Sequence, residues 1–202
     1  MSNILRVKEK NAGIGLIYKL FFMTNAIILH GTGDSPDLFW FPWLKENLEK
    51  RGYNVWLPAL PNAEFPNRAE WVPFILNNGK FTNETVIIGH SAGAQIILSV
   101  LEKIESPIKQ AILVSGYAKA LRKTADSEKN VDDYDWEEIR SKAEEFIFIN
   151  SDNDPWTCDD KQGRIMFDHL GGTQIIVHEG HMGSGYFNQP YKEFPFLLRL
   201  ID

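Results

Sequence analysis

Residues 85–98 read "TVIIGHSAGAQIIL", an apolar run interrupted by Gly89-His90-Ser91-Ala92-Gly93. The residues before Ser91 have the β-branched character of a buried strand, and those after it place apolar side chains at helical spacing as far as Ser106. The interruption therefore reads as a strand-to-helix turn of the form G-x-S-x-G, in which small neighbours keep side chains from clashing across a sharp bend. Chance supplies that pattern in roughly one chain of this length in fifteen, at about 7% each for Gly and Ser, so the strand before and the helix after carry the inference. Either the turn only closes a tight bend, or it presents Ser91 as a nucleophile.

Outward from this turn, short apolar runs alternate with longer amphipathic ones. Strands are predicted at 25–30, 54–59, 85–90, 110–116, 145–150 and 174–179, each continuously apolar, as expected of strands covered by helices on both faces. Helical patterns occupy 37–52, 67–79, 92–106, 136–143, 159–172 and 189–202. The first ends at Gly52, while Pro73 and Pro195 interrupt the second and the last. The alternation predicts an α/β domain over 24–202, a three-layer sandwich of about six mostly parallel strands, for which the order 2-1-3-4-5-6 is expected. That order sets the first and third strands side by side, at the switch point where open α/β sheets bind ligands. The stretch 117–135 is long, charged and turn-rich, and reads either as a lid or as a solvated excursion.

With 202 residues, 44% hydrophobic and 24% charged, the chain can bury one sizeable core. A net charge of -6 without any Lys/Arg cluster argues against nucleic acid or an acidic lipid surface as a partner. The single cysteine, Cys158, forms no disulfide within the chain and has no Cys/His neighbours at zinc-ligand spacing, which fits a reducing cytoplasm. Residues 1–23 begin basic and turn apolar, but the apolar stretch 12–22 is too short for a bilayer, carries Lys19 and precedes no cleavage site. They are expected to be an extension outside the folded domain, either disordered or loosely docked, or the product of a start set too early with Met23 as initiator. Neither a membrane span nor a secretory signal is predicted.

A serine hydroxyl is a weak nucleophile and needs a positioned base, itself oriented by a carboxylate. Among five histidines, His181 in "VHEGHMGSG" lies beyond the last strand, in a glycine-rich loop able to reach back over the strand ends. His90 adjoins Ser91, but consecutive residues in a tight turn point apart, so it is expected in the pocket wall or the packing. The carboxylate should fall between serine and histidine in chain order. "INSDNDPWT" offers Asp152 and Asp154; Pro155 fixes an extended conformation at Asp154, which is preferred, and Asp152 can cap the turn. The first strand ends in a second glycine turn, "HGTGDSP", whose Thr32 amide could join that of Ala92 in an oxyanion hole. Ser35 of that turn superficially suggests a Gly-Asp-Ser-Leu hydrolase, but Pro36 replaces the leucine and no Asp-x-x-His pair follows near the C-terminus. Trp40, Trp156 and Met182 lie close to the glycine turns in sequence and are expected to line an apolar pocket, with Phe41 and Trp43 in the core.

Taken together, "AIILHGTGDSPDLFWFPWLKENLEKRGYNVWLPALP", "VIIGHSAGA", "SDNDPW" and "HEGHMG" resemble the small α/β-hydrolases of the retinoblastoma-binding protein nine/YdeN family over nearly all of 24–202. The resemblance implies a compact α/β-hydrolase core lacking the first two strands of larger relatives, and a triad of Ser91, Asp154 and His181. It implies a reaction type more firmly than a substrate. The Leu-x-Cys-x-Glu motif of the animal protein is absent, since the only cysteine stands in "WTCDD", so no retinoblastoma-type partner is expected. The expected function is that of a serine hydrolase, without metal or cofactor, cleaving a small carboxylic ester, thioester or amide. An acyltransferase with the same triad and a non-catalytic binding module on the same fold are the alternatives.

Overall fold

Burial on both faces makes each strand's alternate side chains feed two different layers, and this organises the whole chain. The computed structural model describes residues 24–121 and 133–201; the expected extension 1–23 and residues 122–132 of the expected lid lie outside the described residues. In chain order the elements are β1 (Asn25–Leu29), α1 (Phe41–Lys50), β2 (Asn54–Trp56), α2 (Arg68–Asn78), β3 (Thr85–His90), α3 (Ala92–Leu101), β4 (Ile108–Val114), α4 (Trp136–Arg140), β5 (Ala143–Ser151), α5 (Asp160–Leu170), β6 (Thr173–Val177) and α6 (Pro195–Leu198). The sheet has six strands in the order β2-β1-β3-β4-β5-β6, and every pairing is parallel. This is the predicted order.

Ile27 and Leu29 of β1, Ile87 of β3 and Phe146 and Phe148 of β5 enter one core layer, roofed by α2, α3, α4 and α5. Ala26, Ile28, Val86, Ile88 and Ile149 point the other way and pack under α1 and α6. The alternation is the period-2 geometry of a strand, here with an apolar environment on each side. Helix α3 is mostly apolar, with Gln95 and Ser99 on one face, and all ten of its residues are buried, because it lies on β3 and β4 and is flanked by α2 and α4.

Several element boundaries depart from the sequence pattern for local reasons. β2 stops at Trp56 instead of continuing to residue 59, since Leu57 precedes Pro58, a residue without an amide for the ladder. Pro195 does not break the last helix but begins it, at the position where its missing N–H has no intrahelical partner. Pro73 sits inside α2, which nonetheless runs on to Asn78; Trp71, Val72 and Ile75 are buried on the flanks of Pro73 and hold the segment in place. Arg51, just past α1, donates to the carbonyls of Leu198 and Ile201 and so fixes the C-terminal turn on this face. Among the described residues no helix is long and apolar enough to cross a membrane.

Candidate active site

The ladder register brings the two glycine turns together. Leu29 pairs with Gly89 across β1 and β3, so the chains leaving both strands start side by side. A Cβ on Gly31 would lie 3.0 Å from the Ser91 Cβ, which measures how closely the first turn approaches the serine. Ser91 adopts φ 54° and ψ -120°, a conformation that costs a non-glycine residue roughly 1–3 kcal/mol and persists only where its surroundings enforce it. Here they do. The Ser91 amide donates to the Val114 carbonyl at 2.9 Å, and the Ser91 carbonyl accepts from the amides of Ala94 and Gln95 at 3.0 Å each. The motif's glycines answer to close approach: a Cβ on Gly89 would stand 2.4 Å from the Gly93 carbonyl oxygen, and one on Gly93 would stand 2.3 Å from that of Leu29. Any side chain at either position would push the helix start away from the strand ends.

His181 and Asp154 meet beside this bend. The Asp154 Oδ2 accepts from His181 Nδ1 at 2.7 Å, and the two side chains are 0% and 5% exposed. A carboxylate can only accept, so Nδ1 carries the proton and Nε2 keeps its lone pair. The other oxygen of Asp154 accepts from the Trp156 amide at 2.8 Å, which locks the carboxylate in an Asx turn. The competing pair is also formed: Asp152 bonds to His178 at 2.6 Å, but both side chains are more than half exposed, on the outside of the strand ends. Burial pushes the His181 pKa below its ordinary 6.5, against the opposing pull of Asp154, and this imidazole is neutral at pH 7.

The His181 loop is held from four directions. His90 Nε2 donates to the His181 carbonyl at 2.9 Å, and the Ser115 hydroxyl donates to the same oxygen at 3.0 Å. The His181 amide donates to Gln189 Oε1 at 2.9 Å, and Trp40 Nε1 donates to the Met182 carbonyl at 2.9 Å. Trp40, His90 and Met182, expected to line the pocket, are instead fully buried behind it, packed in the layer under α1. Their proximity to the glycine turns in sequence reflects anchoring of the loop. Of the expected pocket residues, Trp156 does face the cavity.

A cavity of about 420 Å³ opens over Ser91 and His181. Leu38, Phe39, Tyr117 and Tyr186 join Trp156 in its apolar wall. The sequence reading missed Tyr186, which stands in the glycine-rich loop after His181, is 81% exposed and sets its ring against those of Trp156 and Phe187. Thr32 also lines the cavity, and neither its amide nor that of Ala92 hydrogen-bonds to an acceptor among the described residues. The adjacent Gly33 amide is taken by the Ala63 carbonyl at 2.8 Å, so it does not compete with that of Thr32. His30, at the end of β1, is structural: its Nδ1 donates to the Gly31 carbonyl and its Nε2 accepts from the Leu60 amide, both at 2.9 Å.

Cys158 was read in the sequence as isolated, yet its fully buried side chain contributes to the cavity wall. Burial raises its thiol pKa well above the ordinary value, so it is a thiol at neutral pH. Donor atoms of Asp154, Cys158 and His181 all lie within 4.8 Å of one another.

A parallel sheet in this order, with a serine at positive φ between β3 and α3 at the switch point, gives the protein the α/β-hydrolase fold. The sequence matches the family described as Serine hydrolase over residues 26–198, and the chain belongs to that family, whose members act as hydrolases. YdeN of Bacillus subtilis (strain 168) is 34% identical over 97 residues, covering 46% of this chain and 51% of that protein, so the match spans about half the relative's length. Serine hydrolase RBBP9 of Rattus norvegicus is 28% identical over 141 residues, covering 66% of this chain and 73% of that protein. In three dimensions the crystal structure of the ydeN gene product from B. subtilis is similar with a TM-score of 0.80 at 24% identity, covering 88% of this chain and 96% of that one. The motif resemblance and the fold agree.

Proposed function

We propose that the protein hydrolyses a small carboxylic ester through an acyl-enzyme on Ser91. The observation that carries this reading is the buried Asp154–His181 pair, whose histidine lines one cavity with a serine held at positive φ. Ser91 Oγ attacks the substrate carbonyl carbon while His181 Nε2 takes the hydroxyl proton, and Asp154 stabilises the resulting imidazolium. The carbonyl electron pair moves onto oxygen, where the free amides of Thr32 and Ala92 are the available donors. Collapse of this intermediate expels the alcohol, which leaves with the proton from His181. Water then attacks the acyl-enzyme with His181 again as base, and Ser91 recovers its proton as the acid departs.

The cavity volume of about 420 Å³ falls within the range of small-molecule sites, and its walls are largely apolar. Both features suit an ester with a compact apolar acyl or aryl group. Because only neutral His181 can act as base, kcat/KM falls as pH drops through the pKa of His181 in the free enzyme. Burial lowers that value from 6.5, so the acid limb is expected to have its midpoint below pH 6.5. Initial rates on a panel of p-nitrophenyl esters, taken across pH, test both points. Hydrolysis of short esters with that acid limb supports the reading, and an acid limb centred at or above pH 6.5 would contradict the assignment of a buried neutral base.

A further inference from the structure

We propose that Asp154, Cys158 and His181 form a site for a thiophilic divalent cation, Zn²⁺ in the first instance, whose occupancy switches the hydrolase off. The binding step stands on the donor cluster alone, while the inhibition rests on the reading of His181 and Asp154 as base and orienting carboxylate.

Each of the three residues supplies a donor of a different kind, and the three atoms lie within 4.8 Å of one another. A tetrahedral zinc with bonds of about 2.0–2.3 Å to oxygen, nitrogen and sulfur needs donors roughly 3.3–3.8 Å apart, so modest side-chain rotation closes the set. All three residues are buried, and Cys158 and His181 both border the cavity through which a hydrated ion would arrive. The fourth position falls to water or to the Ser91 hydroxyl, which lines the same cavity as Cys158.

Charge favours the arrangement. The cation displaces the Cys158 proton to solvent and binds the thiolate; Asp154 binds as the carboxylate; because its Oδ2 faces His181 Nδ1 at 2.7 Å, the cation takes Nδ1 in place of the proton there, and the neutral imidazole carries its single proton on Nε2 instead. Two anionic ligands then balance the 2+ ion, leaving no net charge in a buried site. A triad without a neighbouring thiol offers only the nitrogen and oxygen donors, so the thiophilic character belongs to Cys158. Sequence spacing concealed this cluster because Cys158 lies 23 residues before His181, and only the ends of β5 and β6 bring them together.

The test uses the full chain, freed of metal, as wild type and as the Cys158→Ser and Cys158→Ala variants. Ester hydrolysis is titrated with ZnCl₂, each protein being scaled to its own metal-free rate, and CdCl₂ is titrated while the thiolate-to-cadmium absorbance is followed. Losing even an outer-shell partner of a metal costs roughly 10–100-fold in affinity, so losing the sulfur should raise the Zn²⁺ concentration for half-inhibition at least about tenfold. Wild type is expected to lose activity at micromolar Zn²⁺, to regain it with EDTA, and to develop the cadmium band, which reports on Cys158 because the chain has no other cysteine. Both variants should lack the band. A wild type without the band, or equal Zn²⁺ sensitivity in all three proteins, would overturn the site. A cadmium band in a protein without esterase turnover would instead overturn the catalytic reading and leave the metal site standing.

Discussion

Ser91→Ala and His181→Ala are each expected to lower kcat for ester hydrolysis by roughly a millionfold, and the double variant should be little slower than either single one. Nucleophile and base act as a unit, because a serine without its base is as inert as a base without its nucleophile, and single losses of this kind reach roughly 10⁶-fold. Two features predict that the folds survive. Ser91 owes its backbone position to hydrogen bonds of its own main chain with Val114, Ala94 and Gln95, which alanine retains. The His181 loop is fixed by bonds to its backbone from His90, Ser115 and Gln189, none of which needs the imidazole. Steady-state rates on wild type and the three variants, with circular dichroism as the check on folding, decide the matter. Losses that multiplied in the double variant would mean that the two residues act independently.

Asp154→Asn should cost about 10⁴-fold in kcat, the size seen when an orienting aspartate is made into an amide in a serine triad. The asparagine fits the same space and can keep the bond to the Trp156 amide, but its NH₂ group can stabilise the wrong imidazole tautomer, with the proton on Nε2. Asp152→Asn is the control. Its partner His178 is 76% exposed, and an exposed ion pair contributes at most about 1 kcal/mol to stability. The prediction is therefore a large drop in kcat at one position and none at the other, two residues away. Equal losses at both, measured on the same ester, would mean that the buried pair has no privileged role.

How far the sequence could be read depended on whether the deciding interaction was local. β3, the serine turn and α3 form a continuous run, and with the order 2-1-3-4-5-6 the first and third strands fall side by side at the switch point. The distinction between Asp152 and Asp154 was harder, because two aspartates and two histidines lie in the two loops and both Asp–His pairs form. Pro155 gave the useful hint, whereas the deciding variable was burial, which a sequence does not display. Trp40 and Met182 show the limit from the other side. Each was expected to line the pocket, but whether a side chain faces the cavity or braces the loop behind it depends on tertiary contacts such as the Trp40–Met182 hydrogen bond across 142 residues. Cys158 was passed over for the same reason: a lone cysteine has no pattern, and its neighbours come from separate strand ends.

The most direct measurement for the account as a whole is covalent labelling by a fluorophosphonate probe, which reacts with a serine only when a working base and oxyanion site activate it. Intact mass and peptide mapping would follow wild type and Ser91→Ala, both verified as folded. The account predicts one adduct per wild-type chain, on Ser91, and none on the variant. A folded wild type that stayed unlabelled, or an adduct that persisted in Ser91→Ala, would contradict it.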